Sequence, residues 1–481
     1  MDKQVVYAIL LFFALGFLIF YPTLSVGFVS DDFVWLKESQ NLQQFNPLDS
    51  QSFAFSKGRL GTMALFHVLY KFFPTDAGKF HLVMLFFHIL NAVLLFSILS
   101  HVQLPYAFNF MTSLIFLVHF SNEETLFWVS SLSSIFCLFF YLGAVLFYLK
   151  SLSNSSLALK AAVLGCSLLA LSIREDALSI PITLVMLNYM YKREDGLKML
   201  HLLKENFIFL LPSILFLCYR VFAAIQESMG YEFTFNPTIW VQNGLYFILI
   251  LFVPIRFFFD QLGYQVHEKL RLTIMALKDL QLLSVAGILI LTVGVILAFR
   301  FRNKIPGHVK TGIALGMIGF LPYFALVGNA PRFLYFALIG GGIVITHAIL
   351  WLSKQISKTY FSWTTAFIEV ILVGINFIVI QERSGWWIKS GQTATAILQQ
   401  TRAAAHALVP RDTLYITNLP RRLNGAYVFH NGYPEAISLI APEIAGKVRF
   451  LGNKNLNELK VFGVKTIYTF EDGKLKKLTN L

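Results

Sequence analysis

Apolar residues along this chain come in long unbroken runs rather than in the alternation of half-buried strands. Twelve runs stand out, at 5–22, 80–101, 105–120, 128–149, 157–173, 177–191, 206–225, 240–257, 281–299, 310–328, 332–352 and 362–381. Most approach the length a helix needs to cross about 30 Å of hydrocarbon, roughly 17–25 residues. Membrane strands would instead alternate over segments of about 10 residues, so the runs are predicted to be helices. The first run, Val5–Tyr21, follows Lys3 and precedes Ser25-Val26-Gly27, as in a signal peptide. It exceeds the roughly 7–15 residues of a signal core, which favours an uncleaved first helix.

The pattern changes near residue 383. TLYITNLP (413–420), VRFLG (448–452) and TIYTF (466–470) read as strands, and 390–408 as an amphipathic helix. The expected organisation is a transmembrane module over 1–382, with a long first loop at 23–79, and a small α/β domain over 383–481. No repeat or low-complexity segment is visible.

Composition narrows the class. Of 481 residues, 56% are hydrophobic and only 14% charged, against about 25% charged in soluble domains. The fold class is an all-α polytopic membrane protein with a small C-terminal α/β domain. Cys137, Cys166 and Cys218 fall inside apolar runs, so neither a disulfide framework nor a Cys/His metal spacing is present. The net charge is +13, of which the tail from 383 carries +8. In a chain so largely apolar this points to lipid headgroups or a phosphorylated substrate and away from nucleic acid.

Basic residues cluster in 191–205 and 299–310 and at Lys354 and Lys358, marking the cytoplasmic side. With the N-terminus inside, the stretch 226–280 must cross an even number of times. It holds one strong apolar run, 240–257, broken by Pro254. That run is expected either to be embedded without crossing or to pair with a weak second span, leaving about eleven full spans and the tail outside. The polar loops at 23–79, 121–127, 174–176, 226–280 and 329–332 then share the extracytoplasmic face.

Those loops carry the candidate chemistry. Asp31-Asp32 ends the first span among Phe28, Phe33 and Trp35. Acidic pairs there are commonly helix caps, yet ionisable groups held at a membrane surface are functional candidates, and a partly desolvated carboxylate is a better base. Arg59 either binds phosphate as a bidentate hydrogen-bond donor or anchors at the interface. His81 and His88 lie seven apart on one helical face and read first as interhelical hydrogen-bonders. His119, Glu123 and Glu124 share one turn, and Arg174, Glu175 and Asp176 another. Arg332 and Tyr335 are three apart.

In order, these motifs resemble the GT-C membrane glycosyltransferases, particularly protein O-mannosyltransferases, lipid A aminoarabinose transferases and the O-mannosyltransferases with TPR repeats. Asp31-Asp32 matches the acidic pair opening the first loop. Arg59-Leu60 and Phe80–Leu95 resemble the Arg-Pro-Leu segment and the helix after it, without the proline. His119–Trp128 is similar to an HPxxxEAVxW turn, which places Glu124 on the family's glutamate. Ser172-Ile173-Arg174-Glu175 resembles Ser-Lys-Glu, and Arg332–Tyr335 the late Arg-x-x-Tyr. The family's Gly-Arg-x-Asp is here Ser130-Ser131-Leu132-Ser133, and no TPR array follows.

The resemblance implies a bacterial inner-membrane enzyme of GT-C type. It would move a sugar, with inversion, from a polyprenyl-phosphate donor such as undecaprenyl phosphate to a glycan, lipid or protein acceptor. Asp31 would be the general base and Asp32 would orient acceptor or loop. Arg174, Arg332 and Arg59 would bind the donor phosphate, with Glu124, Glu175, Tyr335 and His119 holding the cations or touching sugar or acceptor. With a lipid phosphate as leaving group no metal is obligatory, though a divalent ion is compatible with the reaction. Two other classes remain open at this stage, a transporter or flippase of lipid-linked sugars and a membrane assembly protein without catalysis. A transporter would place its ionisable groups near mid-bilayer and show repeated halves, and neither feature is visible.

Overall fold

The computed structural model describes residues 3–40, 42, 58–192, 206–224, 234–254, 304–328, 330–408, 412–452, 467–471 and 473–478. The expected span 281–299 and the basic loop from 193 to 205 lie outside these residues. The described chain is mostly helical, with a small sheet near its C-terminus.

The helices are α1 (Lys3–Phe20), α2 (Asp31–Gln40), α3 (Leu60–Phe72), α4 (Ala77–His101), α5 (Tyr106–Val118), the short α6 (Glu123–Phe127) and α7 (Leu132–Ser153). There follow α8 (Leu157–Ile173), α9 (Ile180–Lys192), α10 (Phe207–Ala224), α11 (Pro237–Phe252), α12 (Gly307–Phe324), α13 (Ala337–Ile356), α14 (Phe361–His406) and α15 (Tyr433–Ile440). Five described stretches are long and apolar enough to cross a membrane: Lys3–Ser25, Ala77–His101, Val129–Ser153, Ala337–Ile356 and Phe361–His406. The protein is multi-pass. Other apolar helices, such as Tyr106–Val118 and Leu157–Ile173, are shorter than the length rule asks.

The run expected at 240–257 is α11, and its middle and its C-terminal turn are tied to the ends of α12 and α5. Asn243 Nδ2 donates to the carbonyls of Phe324 (3.0 Å) and Leu326 (2.9 Å), capping the end of α12. Eight residues on, the Leu251 carbonyl accepts from His119 Nε2 at 3.0 Å, just beyond the end of α5. The helix has 16 residues, about 24 Å, and the residues that directly follow 254 lie outside the described ones.

The span expected at 362–381 and the amphipathic helix expected at 390–408 prove to be one element. Helix α14 runs 46 residues without interruption, about 69 Å, so no break in the chain marks residue 382. No glycine pair or proline stops it, and beyond the membrane its apolar stripe is covered by C-terminal elements, including the strands Arg422–Leu423, Ala426–Tyr427 and Lys474–Leu478 and helix α15.

Strands β1 (Leu414–Thr417), β4 (Val448–Phe450), β5 (Ile467–Glu471) and β6 (Lys474–Leu478) form a sheet in the order β4-β1-β5-β6. Strand β1 is parallel to β4 and β5, while β5 and β6 are antiparallel. The lysine-rich β6 escapes sequence reading because its charge is that of a protected sheet edge. The small hairpin of β2 (Arg422–Leu423) and β3 (Ala426–Tyr427) escapes too, although its Asn424-Gly425 turn is legible chemistry. Both turn residues have positive φ, 45° and 95°, as the tight hairpin turn requires.

Glycines set the approach of α12 and α13. A Cβ at Gly340 would lie 2.1 Å from the Gly312 carbonyl oxygen and 2.3 Å from Gly316 N. Backbones this close are the small-residue packing of membrane helices, and backbone atoms cannot move aside as side chains can. Gly340→Val is expected to force the pair apart and to destabilise the folded protein by about 3 kcal/mol or more. Thermal unfolding in detergent, with Gly374→Val on the open part of α14 as control, checks this.

Candidate active site

One end of the bundle gathers the polar loops. Helix α4 starts there, α5 returns to it, α7 and α9 start from it, and α8 and α12 run toward it. The opposite end carries Lys150, Lys160, Lys304, Lys310, Lys354 and Lys358.

The acidic pair opens α2, where carboxylates favour the helix dipole. The two side chains take different roles. Asp32 is fully buried. Its Oδ2 accepts from Val29 N at 2.9 Å, the backward reach of a capping box, and its Oδ1 accepts from Ser130 N (2.7 Å) and Ser130 Oγ (2.6 Å). It therefore fastens the first loop to the 128–131 turn. Ser130 belongs to the segment that departs from the family pattern, so sequence reading gave it no role. Asp31 is half-buried. Its Oδ1 accepts from Asn431 Nδ2 at 2.9 Å, and among the described residues no cation lies within ion-pair distance of it.

Asn431 comes from the C-terminal region, which docks on the first loop. Ser30 N donates to the Val428 carbonyl at 2.8 Å, and Asn431 N donates to Ser30 Oγ at 3.2 Å. Gly432 has φ 79°, and a Cβ there would lie 2.2 Å from the Ser30 carbonyl oxygen. Only glycine fits.

Other carboxylates at this end are paired with arginines, three of them from distant elements and one from the same turn. Glu123 grips Arg383 of α14 in two parallel bonds, Nε to Oε2 at 2.5 Å and Nη2 to Oε1 at 3.0 Å. Its neighbour Glu124 holds Arg332 Nη1. Arg332 also donates to the Tyr427 hydroxyl at 3.2 Å and lies over the Trp128 ring, 4.9 Å from its centroid. Arg59 donates through Nε to Glu175 Oε2 at 3.0 Å and through Nη2 to Oε1. Arg174 is buried, with Nε 2.5 Å from Asp176 Oδ2. It also donates to Ser134 Oγ and, at 2.9 Å, to the Tyr323 hydroxyl, which itself donates to Asp176.

The sequence-derived residues thus fall into two groups joined by the 130–134 turn. Asp31 and Arg332 meet the C-terminal region, with Asp32 beside Asp31 on Ser130 and Glu124 holding Arg332. Arg59, Arg174 and Glu175 form the second group beside Asp176. Tyr335 parts from Arg332 and turns into the bundle, where its hydroxyl donates to His88 Nδ1 at 2.8 Å and accepts from Asn91 Nδ2 at 3.1 Å. His88 Nε2 donates to the Leu117 carbonyl at 2.9 Å, which fixes that tautomer. His81 likewise donates to the Leu126 carbonyl at 2.9 Å. His119 accepts from Ser121 Oγ at 2.7 Å on Nδ1 while Nε2 holds Leu251, so it braces α11. Sequence reasoning missed Arg383, which stands just past the apolar run 362–381, and Tyr427, His430 and Asn431, which a sequence places far from every membrane motif. Among the described residues no group of three His, Cys, Asp or Glu could hold a metal.

Environment shifts several of these groups. Burial pushes the Asp32 carboxyl up to about 7, against its hydrogen bonds from Ser130 and Val29 and with a smaller upward push from Asp31. Burial also raises Glu175, but the Arg59 guanidinium and its hydrogen bond, with Arg174 and a backbone hydrogen bond, together outweigh it and bring the carboxyl down to about 2. His430 is lowered by burial and by Arg421 and Arg422, with Asp31 opposing and Arg332 adding. His430 therefore sits in the field of both Asp31 and Arg332.

No protein-family model and no curated protein matches the sequence. Among solved structures, the chain is similar to the oligosaccharyltransferase of Archaeoglobus fulgidus tethered by a disulfide to an acceptor peptide with the NVT sequon. The identity is 10% and the TM-score 0.43, over 94% of this chain and 63% of that one. The same enzyme in complex with zinc and sulfate gives 10% identity and a TM-score of 0.44, over 97% and 68%. The chain spans less than two thirds of the first of these.

Two outcomes test the site's construction. Arg383→Met strands Glu123 in a buried position and is expected to cost about 3–5 kcal/mol, much of it recovered in the double variant with Glu123→Gln. Thermal unfolding of the three proteins reads this directly. For Asp32, the folded state holds a proton between about pH 4 and 7 that the unfolded chain has lost. Stability from this group therefore falls as pH rises through that window and is level above it. Asp32→Asn removes the slope, so the wild-type melting temperature should fall relative to the variant's from pH 5 to pH 8. A pH-independent difference would contradict the raised carboxyl.

Proposed function

We propose that this protein is a membrane glycosyltransferase of GT-C type that moves a sugar from a polyprenyl-phosphate donor, such as undecaprenyl phosphate, to an acceptor hydroxyl. The observation that carries the reading is Asp31. It is half-exposed, with no cation within ion-pair distance among the described residues, whereas Glu123, Glu124, Glu175 and Asp176 are each paired with an arginine. Asp31 and the arginines Arg332, Arg421 and Arg422 all act on His430.

The chemistry follows from those groups. Asp31 takes the proton of the acceptor hydroxyl as its oxygen attacks the anomeric carbon from the face opposite the phosphate. The C1–O bond to phosphate breaks and its electron pair stays on the phosphate oxygen, so the product is inverted and polyprenyl phosphate leaves. Arg332 stabilises the charge that develops there, while Asp32 keeps the loop in place. Arg59 and Arg174, each held by its own carboxylate, shape the wall toward α3 and α8 as further phosphate contacts. A divalent ion is not required by this chemistry. The lysines at the opposite end of the bundle favour an extracytoplasmic site in a bacterial inner membrane, with the C-terminal region on the same side.

Asp31→Asn keeps the hydrogen bond to Asn431 within reach but removes the base. Transfer in proteoliposomes supplied with labelled donor and a membrane extract as acceptor source should fall by roughly 10²–10⁴-fold. Insertion and melting temperature should be unchanged. Wild-type rates from this variant would exclude Asp31 as base.

A further inference from the structure

The least explained feature of the molecule lies where the β2–β3 hairpin meets the bundle. Tyr427 is 6% exposed, with its ring between Trp128, 4.5 Å away by centroids, and Trp387, 6.0 Å away. Its oxygen accepts from Arg332 Nη1 at 3.2 Å and from Arg422 Nη2 at 3.0 Å. Two guanidinium donors fill both lone pairs, so the phenol can only donate its own hydrogen further. No described residue accepts it. The indole N–H groups of Trp128 and Trp387, 6% and 1% exposed, are also without an acceptor among the described residues. Buried polar groups are nearly always paired, and unpaired ones call for an explanation. Here three donors in one aromatic cluster share the same lack, an acceptor oxygen.

Charge says what kind of acceptor fits. Glu124 offsets Arg332. Arg422 has no carboxylate within ion-pair distance among the described residues, lies over the Tyr427 ring at 4.4 Å, and follows Arg421 directly. Burial holds the Tyr427 hydroxyl above its ordinary range, with Glu124 adding and the two arginines opposing, so it stays a donor. This set of donors suits an anion with several oxygens. A neutral sugar would leave the Arg422 charge unanswered, whereas tetrahedral phosphate matches both the charge and the number of donors.

We propose that Trp128, Arg332, Arg422, Tyr427 and Trp387 form a phosphate-binding subsite for the lipid-linked donor, so that the C-terminal hairpin completes a binding site begun by the membrane helices. This rests on the glycosyltransferase reading for the identity of the phosphate. The Asn424-Gly425 turn is seated on Arg383, whose Nη2 would be 3.3 Å from a Cβ at Gly425, so the Glu123–Arg383 pair sets the height of the hairpin over the site.

The test measures binding, not transfer. Full-length protein in nanodiscs is titrated with undecaprenyl phosphate, with undecaprenol as the neutral lipid and inorganic phosphate as the free anion, and read by quenching of tryptophan fluorescence. The wild type should bind the lipid phosphate and not the alcohol. Tyr427→Phe, which keeps the ring stack, and Arg422→Gln should each weaken that affinity by about tenfold or more, with melting temperatures near that of the wild type. Unchanged affinity in both variants, equal binding of undecaprenol, or binding of inorganic phosphate alone would overturn the proposal. The two readings separate cleanly. Loss of lipid-phosphate binding in these variants while Asp31→Asn retains transfer keeps the subsite and removes the base. Unchanged binding alongside an inactive Asp31→Asn does the reverse.

Discussion

A carboxylate taken out of water at the end of an apolar bundle has to be paired, because isolated burial of its charge costs several kcal/mol. Much of this protein's architecture follows from that constraint. Glu123, Glu124, Glu175 and Asp176 each close on an arginine, and none of these four arginines is on the same helix as its partner, apart from Arg174 and Asp176, which share a turn. The pairs work as rivets between elements. Glu123 and Glu124, neighbours in sequence, hold α14 on one side and the turn before α13 on the other.

Asp32 obeys the same constraint by another route. It has no arginine, so its burial is answered by three hydrogen bonds and by a carboxyl raised to about 7. Once Asp32, Glu123 and Glu124 are fixed, the first loop, the 123–131 turn and the root of the C-terminal region cannot move independently. Asp31 stands on this fixed base with one neutral amide partner, which is why two adjacent aspartates of identical chemistry are so unlike in their surroundings.

The continuous α14 ties the two parts of the chain together. A helix that leaves the membrane without a break transmits its orientation to the sheet packed on its outer half. The buried Arg383 marks the point where it passes the bundle end. The β2–β3 hairpin and the 428–432 segment are thereby brought down on the first loop, and residues some 400 positions apart meet as Asp31 and Asn431. Separate span and helix elements with a flexible joint between them would not fix that meeting.

The sequence by itself determined the helical, multi-pass character, the places of three of the six described strands, and the gathering of the loops at 121–127, 174–176 and 329–332 with Asp31-Asp32. These depend on local signals: the length of apolar runs, strand alternation, and the alternation of ends that follows from counting spans. The tertiary structure alone decided the rest. Whether Arg332 and Tyr335 act together depends on the turn they occupy, and Tyr335 faces His88 inside the bundle instead. Ser130, Arg383, Tyr427 and Asn431 carry no local signal, since a serine on a turn or a tyrosine on a hairpin acquires its role only from what the fold sets against it. Ion pairs and hydrogen bonds between distant segments depend on three-dimensional approach, and neither spacing nor composition encodes it.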